Sequence, residues 1–255
     1  MSRCQVSLVT PCYNEEESLP TYFQRVAELR AELEKHDIEI EVVMVDDGSK
    51  DATWSLIQQH CSVTPGFKPY KHDQNGGFGK ALQTGLRHVG GDVVVTIDAD
   101  TNYDLRETPS MLACLDDGAD VVTASPFVEG ASWKYPAHRF VLSKGLVLLY
   151  RLALGPKVKP LSVYTCGFRA YRRETLDVVM PRSDDFLATA EMIVRALWAD
   201  FAVVEMPSCV HDRDFGKSKM NKLKTTVRHL RFLSSILLWG IRGNKRRDST
   251  IFSIL

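Results

Sequence analysis

The stretch Val93-Val94-Val95-Thr96-Ile97-Asp98-Ala99-Asp100 decides the fold class of this chain. Its first five residues are apolar or β-branched, which is typical of a strand buried on both faces of a parallel sheet. The two carboxylates that follow are two residues apart, so they project from the strand tip toward the same face. A lone Asp-x-Asp pair is usually a solvated turn, but oxygen ligands placed in this way also suit Mg²⁺ or Mn²⁺.

Strand-like and helix-like segments alternate through the first half of the chain. Apolar runs predict strands at residues 6–10, 40–45, 92–97 and 120–124, and helical periodicity predicts helices at 19–35, 52–60, 78–88 and 111–117. This alternation predicts an α/β protein with a mostly parallel sheet flanked by helices. Right-handed crossovers place the carboxyl ends of the parallel strands at one edge, where ligands bind in open α/β sheets.

The alternation becomes less regular after about residue 126. The predicted elements there are helices at 137–154 and 188–198, strands at 165–171 and 201–205, and a basic helical region at 217–238. Nothing repeats, and no low-complexity linker interrupts the chain. We therefore divide it into one main domain, residues 1–220, and a basic amphipathic C-terminal region, residues 221–255.

Composition and charge say little about partners. The chain is 44% hydrophobic and 25% charged, as soluble globular proteins are, and its 32 basic residues balance 32 acidic ones. We expect no nucleic-acid partner. Between Lys217 and Arg247, however, there are ten Lys or Arg and no Asp or Glu. This segment could meet an anionic membrane surface, although a solvated basic tail is about equally consistent with charge alone.

The longest apolar segments are too short to cross a membrane. Residues 145–154 and 232–241 could lie on a bilayer, but a span needs ~18 apolar residues. The first residues enter a predicted strand at once, which predicts no signal peptide. The six cysteines show no metal-binding spacing and are expected to be reduced. We therefore expect a cytoplasmic protein that is peripheral on the cytoplasmic face of a membrane.

Three predicted strands end in polar or acidic clusters, at residues 10–15, 45–49 and 98–100. Three such clusters on one edge would repel one another unless cations or hydrogen-bond donors offset their charge. A nucleotide supplies such donors, and a divalent metal supplies the charge. The glycine-rich run at 75–80 has neither the Walker pattern nor the Rossmann fingerprint, so we interpret it as a loop that leads into a helix.

These clusters, in this order and spacing, resemble the inverting family 2 glycosyltransferases of GT-A fold, a nucleotide-diphospho-sugar transferase fold. The resemblance runs through residues 6–15, 42–51, 75–85 and 93–102 and so covers the whole first half. The second half is similar to the polyprenyl-phosphate branch of that family, typified by dolichyl-phosphate mannose synthase. That similarity rests on Arg139 with Ser143, on Gly167-Phe168-Arg169, and on the run from Arg213 to Lys219.

The chain departs from the pattern of that branch at two positions. Ser125-Pro126-Phe127 stands where the mannose synthases usually carry a basic residue after the serine. Asn102 stands where a glutamine is common, and it retains the amide oxygen that a metal would need.

The resemblance implies a role for each matching residue. The base and ribose of a nucleotide sugar would be held by Pro11, Tyr13, Glu15, Val45 and Asp47. The divalent ion, Mg²⁺ or Mn²⁺, would be bound by Asp98, Asp100 and Asn102, with Ala99 against the sugar nucleotide. The donor's diphosphate would meet Arg213 and Lys219. The acceptor phosphate would be held by Arg139 and Ser143, and the catalytic residues would be Asp98, Asp100 and Arg139.

The spacing of Arg139 and Ser143 agrees with a phosphate-binding role. Residues four apart share one face of a helix, and a guanidinium with a hydroxyl can hold a phosphate. Taken alone, Arg139 would be interpreted as a surface arginine on a core helix.

We therefore expect an inverting hexosyltransferase that moves a sugar from GDP-mannose or a UDP-hexose to a polyprenyl or dolichyl phosphate. Two alternatives remain open at this point. One is transfer to a hydroxyl of a glycan or glycolipid, with Glu191 as the base, although a solvated helix carboxylate is a slightly better interpretation of Glu191. The other is a catalytically silent sugar-nucleotide-binding protein on the same fold.

Overall fold

The computed structural model describes residues 5–100, 102–133, 137–156, 158–211 and 222–241, without the side chains of residues 133, 137–139, 222 and 239–241. The strands are β1 (Gln5–Cys12), β2 (Glu39–Asp46), β3 (Phe67–Lys71), β4 (Val93–Thr96), β5 (Val121–Ser125), β6 (Ser132–Trp133), β7 (Arg169–Arg172), β8 (Val203–Pro207) and β9 (Cys209–Val210). The helices are α1 (Leu19–Glu34), α2 (Thr53–Val63), α3 (Phe78–Arg87), α4 (Thr108–Asp116), α5 (Ala137–Leu154), α6 (Leu176–Val179), α7 (Leu187–Trp198) and α8 (Lys222–Ile241).

Seven of these strands form one sheet in the order β3-β2-β1-β4-β7-β5-β8. Strand β7 runs antiparallel between β4 and β5, and the other pairings in this sheet are parallel. The predicted α/β class with a mostly parallel sheet is therefore confirmed. The chain turns from the β3 side to the β8 side between β1 and β4, which is where open α/β sheets form a ligand-binding crevice.

Strand β3 is the one strand of the seven-stranded sheet, as far as the structure describes it, that the sequence did not predict. Its residues, Phe-Lys-Pro-Tyr-Lys, are all half-buried or exposed, and they lack an apolar run. Proline cannot donate a ladder hydrogen bond, so it is tolerated on an edge strand, and β3 is the edge of this sheet. The edge position thus explains both the composition and the failure of the prediction.

Alternate residues of the central strands face two separate hydrophobic cores. Val9 and Val45 pack with α3, α7 and α8 on one face of the sheet. Leu8 and Met44 pack with α1, α2 and α4 on the other. The sheet is therefore covered on both faces, and its carboxyl edge is left for polar groups.

Helix α8 packs against α5 and α7, and a buried polar contact joins it to α5. His229 is 5% exposed, and its Nδ1 lies 2.7 Å from the hydroxyl of Tyr150. Burial lowers the pKa of His229 from 6.5 to about 4, so the ring is neutral in the folded protein near pH 7. The ring binds a proton more readily in the unfolded chain than in the folded protein. The free energy of unfolding is therefore not reduced by His229 above pH 6.5, and it falls as the pH drops from 6.5 toward 4.

The basic C-terminal region is thus helical over residues 222–241 and contacts the main body, while its treatment as a separate region from residue 221 stays a prediction. Within the described ranges, the helices are all too short or too polar to cross a membrane.

Two glycines provide a matched test of the packing between α3 and the sheet. A Cβ on Gly85 would collide with Cγ1 of Val9, whereas a Cβ on Gly145, on the exposed side of α5, would meet nothing within 4 Å. We expect Gly85→Ala to lower the free energy of unfolding by ~1–3 kcal/mol and Gly145→Ala to raise it by ~0.5–1 kcal/mol. Urea denaturation measures both, and equal effects of the two substitutions would contradict the packing described here.

Candidate active site

The candidate site lies at the carboxyl edge of the sheet, where β1, β2, β4 and β5 end. The β1–β2 register pairs Cys12 with Asp46, and the β1–β4 register pairs Val9 with Thr96. Because β7 is antiparallel, its amino end lies at this same edge. The three polar clusters predicted from the sequence are therefore brought together.

Asp98 follows β4 and is half-buried against the segment that leads into β7. A Cβ built on Gly167 would lie 3.3 Å from each Asp98 carboxylate oxygen, tighter than most side-chain contacts. The Thr96 hydroxyl donates a 2.6 Å hydrogen bond to the carbonyl of Gly167 and fixes this approach. A side chain at position 167 would therefore push the Asp98 carboxylate away by a few tenths of an ångström, so the glycine in the Gly167-Phe168-Arg169 motif leaves room for Asp98.

Asp100 is 3% exposed and is tied to Asn102. The Asn102 amide donates from Nδ2 to Asp100 Oδ2 over 2.8 Å, and the Asn102 backbone N–H reaches Asp100 Oδ1 at 3.3 Å. The amide oxygen of Asn102 is buried and has no hydrogen-bond partner among the described residues. An unsatisfied buried acceptor is costly, so this oxygen marks a place for a donor or a cation.

The residues present fit a divalent ion with oxygen ligands. Two carboxylates and an orphaned amide oxygen are hard donors that suit Mg²⁺ or Mn²⁺. Within the described ranges, no three His, Cys, Asp or Glu side chains cluster closely enough to hold a metal by themselves. The rest of such an ion's shell would have to come from water or from a bound ligand such as a diphosphate.

Asp47 is held by the glycine-rich segment rather than exposed to solvent. Its side chain is 3% exposed, and its two oxygens accept the N–H groups of Gly76 and Gly77 over 2.9 and 2.7 Å. Nδ1 of His72 lies 2.7 Å from the same carboxylate. Gly77 precedes α3 and has φ of +100°, so the carboxylate lies at a helix N-terminus, where the dipole favours negative charge. This arrangement could not be predicted from local sequence, because the partners of Asp47 are 25 to 30 residues away.

The loop after β1 is tied to the loop after β2 by polar bonds. Asn14, with φ of +52°, donates its N–H to the Ser49 hydroxyl and accepts the Lys50 N–H, both over 2.8 Å. Glu15 is half-buried, donates its N–H to Thr53 Oγ1, and accepts the Ser18 hydroxyl at 2.8 Å. These bonds hold the first two clusters side by side.

The remaining residues predicted to contact a nucleotide differ in exposure. Tyr13 is half-buried at the edge, while Pro11 and Ala99 are buried there. Val45 is fully buried, and its side chain packs toward Gly85 in the hydrophobic core. Only the backbone of Val45 can therefore reach a ligand at the edge.

The pKa of the Cys12 thiol is affected by the carboxylates at this edge. Burial raises its pKa well above 9.0, and the carboxylates of Glu15, Asp46 and Asp98 raise it further. Acidic groups from all three clusters thus act on a single point, as the sequence analysis expected. Asp46 adds to the excess of acceptors, because its Oδ2 is buried without a hydrogen-bond partner in the described part of the chain.

Helix α5 carries the residues that the sequence predicts to bind an acceptor phosphate. Ser143 is half-buried, and Arg139 lies in the first turn of α5, but the Arg139 side chain is outside the described residues. Lys144 was missed by the sequence analysis. Its ammonium lies 4.1 Å from the ring centroid of Phe127, and burial together with Arg151 lowers its pKa.

Lys144 therefore places positive charge beside the Ser125-Pro126-Phe127 segment, which has none of its own. The other two predicted cationic residues, Arg213 and Lys219, lie outside the described residues.

Glu191 is not the solvated carboxylate that the sequence analysis favoured. It is 0% exposed and forms an ion pair with Arg195, itself 3% exposed, over 2.6 Å. Its oxygens also accept the N–H groups of Arg182 and Ser183 at 2.9–3.0 Å. The prediction of exposure was wrong because all residues of α7, polar ones included, are buried. This burial and pairing also argue against Glu191 as a general base.

The sequence matches a described family over most of its length. The profile described as "Glycosyl transferase family 2" matches residues 7–179. A dolichol-phosphate mannosyltransferase of Pyrococcus furiosus is 30% identical over 236 residues, which are 92% of this chain and 64% of the relative. A polyprenol monophosphomannose synthase of Mycolicibacterium smegmatis is 32% identical over 94% of this chain and 88% of its own. The chain thus spans just under two thirds of the Pyrococcus protein.

Solved structures share the fold. A mannosyltransferase of Pyrobaculum calidifontis, in complex with GDP-Man and Mn²⁺, has a TM-score of 0.62 at 21% identity and covers 96% of this chain and 66% of its own. Glucosyl-3-phosphoglycerate synthase of Mycobacterium tuberculosis, in complex with Mn²⁺, UDP and glucosyl-3-phosphoglycerate, has a TM-score of 0.64 at 22% identity over 92% of this chain and 79% of its own. These likenesses confirm the expected GT-A fold.

The oxygen ligands can be tested by metal binding alone. We expect Asp100→Asn and Asn102→Ala each to weaken Mn²⁺ binding by ~10–100-fold or more. Loss of a residue that only supports a metal ligand already costs that much. Electron paramagnetic resonance of free Mn²⁺, with a nucleoside diphosphate present, measures this. Asp104→Asn is the control, because Asp104 is paired with the exposed Arg106. Unchanged binding in Asp100→Asn would rule out this metal site.

Proposed function

This chain belongs to glycosyl transferase family 2, and we propose that it transfers a sugar from GDP-mannose or a UDP-hexose to a polyprenyl phosphate, with inversion. The observation that carries the proposal is the orphaned oxygen of Asn102, whose amide is bound to Asp100 at the carboxyl edge of the sheet. The names of the two curated relatives, each at least 30% identical, support the sugar transfer and the acceptor class.

The donor side of the proposed reaction uses the acidic edge. Asp98, Asp100 and Asn102 would hold a divalent ion, which when bound neutralises charge on the leaving diphosphate. Tyr13, Glu15 and Asp47, with the backbone of Val45, would line the pocket for the base and ribose. Arg213 and Lys219 would meet the diphosphate, and Ala99 would lie against the sugar nucleotide.

The acceptor side needs positive charge but no general base. A phosphate is already anionic near neutral pH, so it can attack without losing a proton to the protein. Arg139 and Ser143 would bind and orient that phosphate, and Lys144 adds a nearby ammonium. The buried Glu191–Arg195 pair agrees with this choice, because the hydroxyl-acceptor alternative requires Glu191 as an accessible base.

We further propose that the protein is peripheral on the cytoplasmic face of a membrane. The outward face of α5 carries Val141, Leu148 and Leu152 at 56–68% exposure, and α8 adds Leu223 and Leu230. Neither helix contains an acidic residue. An apolar face flanked only by cations suits the interface of an anionic bilayer.

The phosphate of the acceptor is tested by comparing it with the matching alcohol. We expect polyprenyl phosphate to be glycosylated and polyprenol not to be. Arg139→Ala should lower kcat/KM for the phosphate by ~10–100-fold, because a charge-assisted bond is worth ~1.5–3 kcal/mol. Arg173→Ala is the control, since this arginine contacts the carbonyl of Val89 at the opposite edge. Equal turnover of the alcohol would exclude the anionic nucleophile. No turnover with any donor would support the silent-protein alternative.

Membrane binding is tested by sedimentation with vesicles. We expect binding to anionic vesicles at low salt and release at high salt, since each basic residue near the surface contributes ~1 kcal/mol. Leu148→Glu should weaken binding at least ~10-fold, because burying a leucine is worth ~1.5–3 kcal/mol. Val63→Glu is the matched control, because Val63 is 77% exposed at the end of α2. Equal binding to neutral and anionic vesicles would contradict the electrostatic part.

A further inference from the structure

The segment between α6 and α7, residues 180–186, is held by hydrogen bonds to the carboxylate of Glu191. This carboxylate accepts the backbone N–H groups of Arg182 and Ser183, and its charge is balanced by Arg195 inside the protein. A buried carboxylate with a buried counter-ion and backbone donors is strongly tied to its surroundings, because losing one partner leaves an uncompensated charge. Glu191 therefore holds the first part of this loop, while an ion pair between Arg228 and Asp185, 3.0 Å long, holds the second part.

The other side of the loop contacts the glycine-rich turn that begins α3. The Lys80 N–H donates to the carbonyl of Asp184 over 3.2 Å, and Gln83 Nε2 donates to the carbonyl of Ser183 over 3.3 Å. A Cβ on Gly77 would collide with the Asp184 carbonyl, and one on Gly79 with the Ser183 carbonyl. The rings of Phe78 and Phe186 are stacked with centroids 4.9 Å apart. The two backbones are thus in direct contact.

The same turn holds Asp47. Gly77 lies directly against the loop, because it has no Cβ that would collide with it, and its N–H donates to Asp47 Oδ2. One residue thus contacts both the loop and Asp47. Gly76 binds the other oxygen of Asp47. A shift of the 180–186 loop would move this turn, and with it the carboxylate at the end of β2.

We infer that Glu191 is a positioning residue for the nucleotide pocket, acting through the 180–186 loop and the Gly76–Gly77 turn on Asp47. This inference rests on the proposed function, since it assigns Glu191 a part in binding the nucleotide sugar. It gives the buried Glu191–Arg195 pair a role in donor affinity and none in proton transfer. Between Glu191 and Asp47, the 180–186 loop and the Gly76–Gly77 turn are in contact through their backbone atoms. Because protein interiors are densely packed, a displacement of the loop also displaces the turn.

The test compares three variants in nucleotide binding. Glu191→Gln keeps the size of the side chain but leaves Arg195 without its counter-ion. Gln83→Leu removes the hydrogen bond to Ser183 from the opposite side of the loop and carries the test if Glu191→Gln does not fold. Glu41→Gln is the matched control, because Glu41 is a 4%-exposed carboxylate that binds Gly90 N–H and Lys68 at the opposite edge of the sheet.

We expect Glu191→Gln to raise the Kd for GDP or UDP with Mn²⁺, and the KM for the donor, by about tenfold, with kcat changed much less. Gln83→Leu should act in the same direction by a smaller factor. The double variant should show less than the product of the two effects, because both act on one loop. Isothermal titration calorimetry and donor-dependence kinetics measure these values, and Glu41→Gln should lower only Tm.

Other results would overturn the inference. A fall in kcat of more than ~10²-fold in Glu191→Gln, with unchanged Kd and a lost limb of the pH–rate profile, would make Glu191 the general base. Unchanged Kd in both loop variants, with Tm lowered as in Glu41→Gln, would leave Glu191 a purely structural role. If the wild-type protein binds neither nucleotide, the proposed function itself fails, and that result is visible before any variant is made.

Discussion

The structure depends on one constraint: a parallel sheet delivers the carboxyl ends of its strands, and the acidic residues that follow them, to a single edge. Burial raises the pKa of the Cys12 thiol, and the nearby carboxylates of Glu15, Asp46 and Asp98 raise it further. Like charges so close together are costly in a protein interior. Much of the local structure at this edge therefore supplies hydrogen-bond donors to carboxylates.

Those donors differ from one carboxylate to the next. Asp47 is satisfied by backbone N–H groups at the start of α3, and Asp100 by the amide of Asn102. What remains is an excess of acceptors, since Asn102 Oδ1 and Asp46 Oδ2 have no hydrogen-bond partner within the described ranges. Buried oxygens that have no hydrogen-bond partner at this edge suit a cation or a hydrogen-bond donor there. This imbalance is the physical basis of the donor side of the proposed reaction.

Helix α5 links this polar edge to an apolar surface. Its inner face, with Val147 and Tyr150, belongs to the core, and its outer face exposes leucines. Its first turns carry Arg139, Ser143 and Lys144, close to the edge. In the proposed reaction, one helix would supply cations for a phosphate and apolar surface for a chain or bilayer, which is why we propose a lipid phosphate rather than a soluble acceptor.

The strands with apolar runs, their shared edge, the acidic pair Asp98/Asp100 and the family could all be predicted from the sequence, because they follow from local periodicity and from residues adjacent in the chain. Other features depend on contacts between distant segments. The short strand β7 inserts antiparallel between β4 and β5, and its direction is set by strands far away in sequence. The sequence predicts a solvated helix carboxylate at Glu191, but in the structure all residues of α7 are buried. Whether a charged side chain is exposed, paired or used depends on contacts between distant segments, and local patterns carry no information about those contacts.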